Sequence, residues 1–184
     1  GKSISSAGDV DGDGQDDIII GAPNNGDGGL NAGKSYLFLA QSLGFTSTLE
    51  LSQADYVFVG ENDDDLSGQV VANAGDVDGD GLDDFLIGAP NNDDGGLEAG
   101  KTYLILGSAL ETQPYVDLTN ADYAFIGESH GDHSGYSASG AGDVDGDGLG
   151  DILIGATDND DGGANAGKTY LILGSSLGST SNID

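Results

Sequence analysis

Short apolar runs rich in Ile, Val, Leu, Tyr and Phe alternate along the chain with clusters of Gly, Asn and Asp. β-Branched and aromatic residues suit pleated strands, and the intervening clusters supply tight turns. The pattern predicts first strands at Lys2–Ala7, Gln69–Ala74 and Tyr136–Ala141, and second strands at Ile18–Ile20, Phe85–Ile87 and Ile152–Ile154. Third strands follow at Lys34–Leu39, Lys101–Leu106 and Lys168–Leu173, and fourth strands at Asp55–Val59 and Asp122–Ile126. No amphipathic helix of useful length emerges, and Leu43–Ala54 is the one ambiguous stretch.

The runs recur at a fixed interval. GDVDGDG begins at Gly8, Gly75 and Gly142; Gly-Ala recurs at Gly21, Gly88 and Gly155; Ala-Gly-Lys recurs at Ala32, Ala99 and Ala166, each series 67 residues apart. Gly75–Gly107 and Gly142–Gly174 are identical at 27 of 33 positions, so one structural unit has been repeated. The units fall at 1–67, 68–134 and 135–184 of a single region, 1–184. Four antiparallel strands per unit, repeated in tandem, describe β-propeller blades. The expected fold is therefore all-β: three four-stranded blade units, the last lacking its fourth strand. The chain opens inside a repeat, which points to a piece of something longer. Propellers close with about four to eight blades, and three alone leave open sides and an unpaired edge. The expectation is a partial propeller, completed by further blades or by a second copy of the chain; a homodimer making a six-bladed ring is the simplest version.

Each unit carries an aspartate loop between its first two strands. The first runs Asp9, Asp11, Asp13, Gln15, Asp17 at alternate positions; the second Asp76, Asp78, Asp80, Leu82, Asp84; the third Asp143, Asp145, Asp147, Leu149, Asp151. Carboxylates at positions one, three and five converge when the backbone wraps around a point, and glycine at position six permits the sharp turn. The carbonyl of position seven then faces inward, and six to eight oxygen ligands suit Ca²⁺. An EF-hand would close its site with Glu at position twelve, but Ile20, Ile87 and Ile154 stand there. Position nine, Asp17, Asp84 and Asp151, is the expected closing and bidentate ligand; position eight offers Asp16 and Asp83, but Gly150 in the third unit. The competing reading is an Asp-rich turn that merely favours tight geometry. It leaves the mutual repulsion of four carboxylates unrelieved, three times over. Zinc is disfavoured by the absence of Cys and of any repeated His.

GDVDGDGLDDFLIGAP at Gly75–Pro90, preceded by Phe58-Val-Gly60 and Gly68-Gln-Val-Val-Ala72, resembles the FG-GAP repeat. That repeat forms blades of the integrin alpha-subunit propeller and of many bacterial secreted proteins. The resemblance covers essentially the whole chain. It implies a blade whose fourth strand directly precedes the next blade's first, and Ca²⁺ in the DxDxDGxxD loop, held by the residues named above. Thr157 replaces the proline of the motif in the third unit, and the first unit lacks a preceding FG strand.

Composition narrows the function classes. There are 33 acidic residues against 4 lysines and no arginine, a formal charge of −29, which disfavours nucleic acid and anionic membranes as partners. Three Ca²⁺ ions carry six positive charges and would leave −23. Cysteine is absent, and no stretch approaches the roughly 18 apolar residues of a membrane span. No nucleophile–base–orienter constellation and no GxSxG elbow is visible, so no enzyme is expected. The leading expectation is a calcium-binding adhesion or protein-binding module, extracellular, secreted or on the cell surface. The alternative is a glycan-binding or spacer module attached to an extracellular enzyme. The second-to-third-strand turns (Asp27; Asp93, Asp94; Asp158, Asp160, Asp161) should share a face with the interblade runs Glu61–Asp65 and Glu128–Asp132. That face is read as solvated turns in preference to a partner surface. Lys34, Lys101 and Lys168 share one repeat position and should pair with a nearby acidic loop; His130 and His133, present in one unit only, are a weak zinc candidate. The stretches Gln41–Ala54 and Ser108–Ala121 share little sequence and read as a specificity loop or a plain spacer.

Overall fold

The computed structural model describes residues 1–44, 48–110, 113–178 and 182–183. Blade one holds β1 (Ser3–Gly8), β2 (Asp17–Ala22), β3 (Lys34–Phe38) and β4 (Tyr56–Val59). Blade two holds β5 (Val70–Gly75), β6 (Asp84–Ala89), β7 (Lys101–Ile105) and, after β8 (Tyr115–Asp117), β9 (Tyr123–Ile126). Blade three holds β10 (Ser134–Gly142), β11 (Asp151–Ala156) and β12 (Lys168–Ile172), and β13 is Asn182–Ile183. Every strand expected from the sequence is present, with ends shifted by a residue or two, and the described residues contain no α-helix.

Each blade is an antiparallel meander. In blade one, Ile20 lies opposite Ile4 on one side and Tyr36 on the other, and Tyr36 lies opposite Val57. The same registers recur one repeat later, with Ile87 opposite Val71 and Tyr103.

The four-stranded antiparallel meanders expected from the sequence are present in blades one and two. A fifth, parallel strand joins the outer edge of blades one and two, and it comes from the following repeat: β8 lies on β4, and β13 lies on β9. Val57 N–H also donates to Pro114 O at 2.8 Å. Residues 114–117 therefore clasp one blade to the next as well as connecting strands. Their strand covers an edge that would otherwise present unpaired amide groups. Residues 45–47, between β3 and β4 of blade one, lie outside the described residues.

The core is built between blades. Side chains alternate across a strand, so the inner strands of blade two, β6 and β7, face blade one on one side and blade three on the other, and both are buried throughout. Ile19, Leu37 and Phe58 of blade one pack against Phe85, Ile87 and Tyr103 of blade two. The Phe58 and Phe85 rings meet edge to face at 5.3 Å, an arrangement that contributes about 0.5–1.5 kcal/mol beyond area burial. Leu86, Leu104 and Phe125 repeat this packing against Ile152 and Ile154 of blade three. Identical sequence then has unequal burial. Lys-Thr-Tyr-Leu-Ile is wholly buried as β7, but as β12 it leaves Thr169 and Leu171 exposed, because nothing among the described residues covers the far side of blade three.

Candidate metal centres

Each aspartate loop starts at a β-bulge. The register shifts at Gly8, Gly75 and Gly142, where φ is 83°, 76° and 71°, a region that glycine enters freely. Position six is likewise left-handed, with φ of 86°, 92° and 94° at Gly14, Gly81 and Gly148. The loop then curls around its own carboxylates. Asp76 accepts from Gly79 N at 2.7 Å and Gly81 N at 3.0 Å; Asp143 accepts from Gly146 N at 2.6 Å and Gly148 N at 2.9 Å; Asp9 accepts from Gly14 N at 2.9 Å. Position three binds the amide of position five: Asp11, Asp78 and Asp145 accept at 3.1, 3.1 and 3.2 Å. Position five binds the amide of position seven: Asp13 from Gln15, Asp80 from Leu82, Asp147 from Leu149, at 2.8–2.9 Å.

Carboxylate oxygens are thereby gathered. Atoms of Asp9, Asp11 and Asp13 lie within 4.8 Å of one another, as do those of Asp76, Asp78 and Asp84, and those of Asp143, Asp145 and Asp151. Positions one and three converge in all three loops; the third member is position five in the first loop and position nine in the others. The Asp9 Oδ1 atom is buried without a hydrogen-bond partner, an oxygen shaped for a cation. A set of hard oxygens on a flexible Gly-rich loop fits Ca²⁺ chemically.

Position nine does more than face the loop. Asp17, Asp84 and Asp151 are fully buried at the start of the second strand. One oxygen of each accepts from position two, Val10, Val77 and Val144, at 3.0, 2.8 and 2.7 Å. The other accepts from Ala40, Gly107 and Gly174 at 2.7, 2.9 and 2.9 Å. These carboxylates therefore staple the loop to the turn after the third strand. Burial pushes the Asp17 and Asp84 carboxyls up, Asp84 to about 7, against the lowering pull of those amides.

Leu82 and Leu149, expected at the loop for their carbonyls, also use their side chains: each reaches the glycine at position four of the previous blade's loop, Gly12 and Gly79. Position eight is an interblade link. Asp83 accepts from Asp9 N at 2.9 Å and returns its own amide to Asp9 O at 3.0 Å; Gly150 keeps only the second bond, to Asp76 O at 2.7 Å. Sequence reading missed Gln41, whose Nε2 donates to Asp11 Oδ2 at 2.7 Å from the turn after β3. No signal marked it, since its counterparts are Ser108 and Ser175.

The opposite rim uses its charges internally. Leu30 N donates to Asp63, Asn31 to Asp64 and Asn92 to Asp65, at 2.8–2.9 Å, so the second-to-third-strand turns and the interblade runs do share a face. Lys34 pairs with Asp27 at 2.7 Å; Lys101 with Glu61 and Asp94 at 2.9 and 2.7 Å; Lys168 with Glu128 and Asp161 at 2.7 and 2.8 Å. His133 Nδ1 lies 2.9 Å from Asp158, while His130 Nδ1 lies 2.6 Å from Leu97 O; the two rings have separate partners.

A model of the FG-GAP repeat matches residues 2–38, 67–105 and 134–172. Integrin alpha-PS2 of Drosophila melanogaster is 30% identical over 167 residues, 87% of this chain and 12% of that protein. Integrin alpha pat-2 of Caenorhabditis elegans is 34% identical over 165 residues, 85% of this chain and 13% of its own length. Human integrin alpha-IIb is 32% identical over 157 residues, 80% of this chain and 14% of its own. The chain thus spans only 12–14% of the length of these relatives. With three matched repeats, three blades and an aspartate loop in each, the chain belongs to the FG-GAP repeat family.

Proposed function

We propose that this region is a calcium-binding β-propeller module, non-catalytic, acting outside the cell in adhesion or protein–protein binding. The observation that carries the reading is the threefold convergence of carboxylate oxygens in loops that already satisfy their own amides. In each loop the side chains of positions one, three, five and nine and the carbonyl of position seven would hold the ion: Asp9, Asp11, Asp13, Gln15 and Asp17; Asp76, Asp78, Asp80, Leu82 and Asp84; Asp143, Asp145, Asp147, Leu149 and Asp151. A bound Ca²⁺ supplies the positive charge that offsets repulsion among these oxygens. Asp17, Asp84 and Asp151 relay that order to the sheet, because each spans the loop and the turn after the third strand.

Location follows from affinity. Extracellular modules bind Ca²⁺ at about 10⁻⁴–10⁻³ M, a level that cytosol does not supply. The similar proteins are integrin alpha subunits by name, which supports an adhesive or protein-binding role. Further blades, from a longer chain or a second copy, are the proposed neighbours of the open sides of blades one and three. Thermal melts test the calcium reading. Excess Ca²⁺ should raise the melting temperature by at least several degrees over the chelated chain; superimposable melts in Ca²⁺ and in EDTA at moderate salt would remove its basis.

A further inference from the structure

Between β8 and the turn after β7 lies a cavity of about 320 Å³, lined by Ala109, Gln113, Tyr115, Asp117, Asn120 and Asp122. Its size falls at the lower end of the roughly 300–1,000 Å³ typical of small-ligand sites. We propose that it is a binding site for a neutral pyranose sugar, seated against Tyr115 and hydrogen-bonded to Asp122 and the neighbouring polar side chains. The site uses none of the aspartate-loop carboxylates.

A hydroxyl that blade two lacks marks the polar end of the cavity. In blade one, the carboxylate just before β4 is satisfied on both oxygens: Asp55 Oδ2 accepts from Leu39 N at 2.8 Å and Oδ1 from Ser42 Oγ at 2.6 Å. In blade two, Asp122 Oδ2 accepts from Leu106 N at 2.9 Å in the same way. The residue 67 places after Ser42, however, is Ala109, which has no hydroxyl to give. Asp122 Oδ1 thus meets no side-chain donor among the described residues, and Ala109 and Asp122 both border the cavity. Asp122 is half-buried. A carboxylate oxygen withdrawn from water without a donor is costly. A ligand hydroxyl entering the cavity takes the place that Ser42 Oγ fills in blade one.

Tyr115 supplies the aromatic wall. It is 57% exposed, and its counterparts in the other units are Thr48 and Asn182. Its backbone is fixed by pairing with Val57 and by the bond from Val57 N to Pro114 O, and the Lys34 ammonium lies 5.1 Å from its ring centroid. A ring held in advance loses little freedom when a ligand arrives. Tyr115 and Asp117 are two residues apart on β8 and share one side of it. Asp117 Oδ1 accepts from Thr119 N and Oγ1 at 3.0 and 2.8 Å, whereas Asp117 Oδ2 and Asn120 Oδ1 have no partner among the described residues. A pyranose is complementary to this lining, with C–H groups on its face for the ring and hydroxyls around its edge for the oxygens. The carboxylates of Asp117 and Asp122 disfavour an acidic sugar.

The test uses the full 184-residue chain in Ca²⁺ and the methyl pyranosides of glucose, galactose and mannose, read by saturation-transfer NMR and by protein amide shifts. At least one should bind saturably at millimolar concentration, with shifts concentrated at Ala109 and residues 113–122. Tyr115→Ala should weaken that binding about tenfold or more. Ala109→Ser gives Asp122 the internal donor that Asp55 has, so it should weaken binding by a similar factor while the melting temperature holds or rises. Because blade one already folds with that arrangement, this variant keeps the test decisive if Tyr115→Ala loosens the clasp. Methyl glucuronide should bind more weakly than the neutral sugars. No saturable binding of any neutral pyranoside, binding unchanged by Ala109→Ser, tighter binding of methyl glucuronide or of tetramethylammonium, or shifts located away from the cavity would each overturn the inference.

Discussion

The same residue type has two tasks within one loop, and burial separates them. Asp78 is exposed and binds one loop amide, so its removal should cost metal and little else. Asp78→Ala is expected to lower the Ca²⁺ count by one in a calorimetric titration, while the melt in chelator stays near that of the parent. Asp84 is buried and accepts from Val77 N and Gly107 N. Asp84→Ala orphans both donors, at about 1–3 kcal/mol each, so it should destabilise the chelated chain as well. Protonation follows from the same burial. The Asp84 carboxyl is raised from 3.8 to about 7 by desolvation, so the cation-free native state binds a proton more tightly than the unfolded chain. Its sign is fixed: between those two values this group makes stability fall as pH rises. Chelated melts should therefore be higher near pH 5 than near pH 7, and Asp84→Asn should flatten that slope. A chelated chain that gains stability from pH 5 to pH 7 would contradict the assignment.

At the scale of the strand, close backbone approach sets the tolerance to change. A Cβ at Gly88 of β6 would overlap Gly135 O of the next blade, whereas at Gly155 of β11 it would meet only the movable Ser137 Oγ that closely. Gly88→Ala should thus cost about 1–3 kcal/mol in chemical denaturation, the usual range for overpacking, and Gly155→Ala distinctly less. Strand positions, the blade repeat and the loops were legible in the sequence because each rests on local chemistry: branched and aromatic residues in strands, glycine at left-handed turns, carboxylates at alternate loop positions. The interblade clasp was not. Tyr115–Asp117 is polar, short and unlike its counterpart in the first unit, and only the unpaired edge of β4 makes it a strand. The link through Asp83 escaped for a related reason, since an extra acid beside four ligands looks like another ligand until its partner, the Asp9 amide of a different blade, is in place.

Across the whole molecule, stability comes from stacking blades, and the two ends report it. Val10 and Val77 are 1% exposed while the equivalent Val144 is 52% exposed; Leu104 is 0% and Leu171 is 51% exposed. A charge at the covered positions should be severe and at the open ones mild. Val77→Asp and Leu104→Asp are expected to lose several kcal/mol or fail to fold, whereas Val144→Asp and Leu171→Asp should stay within about 0.5 kcal/mol of the parent in the isolated chain. Equal losses at both ends would show that the far side of blade three is covered in solution. The formal charge of −29 works against this stacking, and it is concentrated in part in the three loops. On the proposed calcium reading, bound cations would favour stacking by offsetting that charge. The most direct test is anomalous diffraction from crystals grown in Ca²⁺: a calcium peak is expected inside each of the loops 9–17, 76–84 and 143–151, and calcium-replete crystals with water alone in those loops would contradict the account.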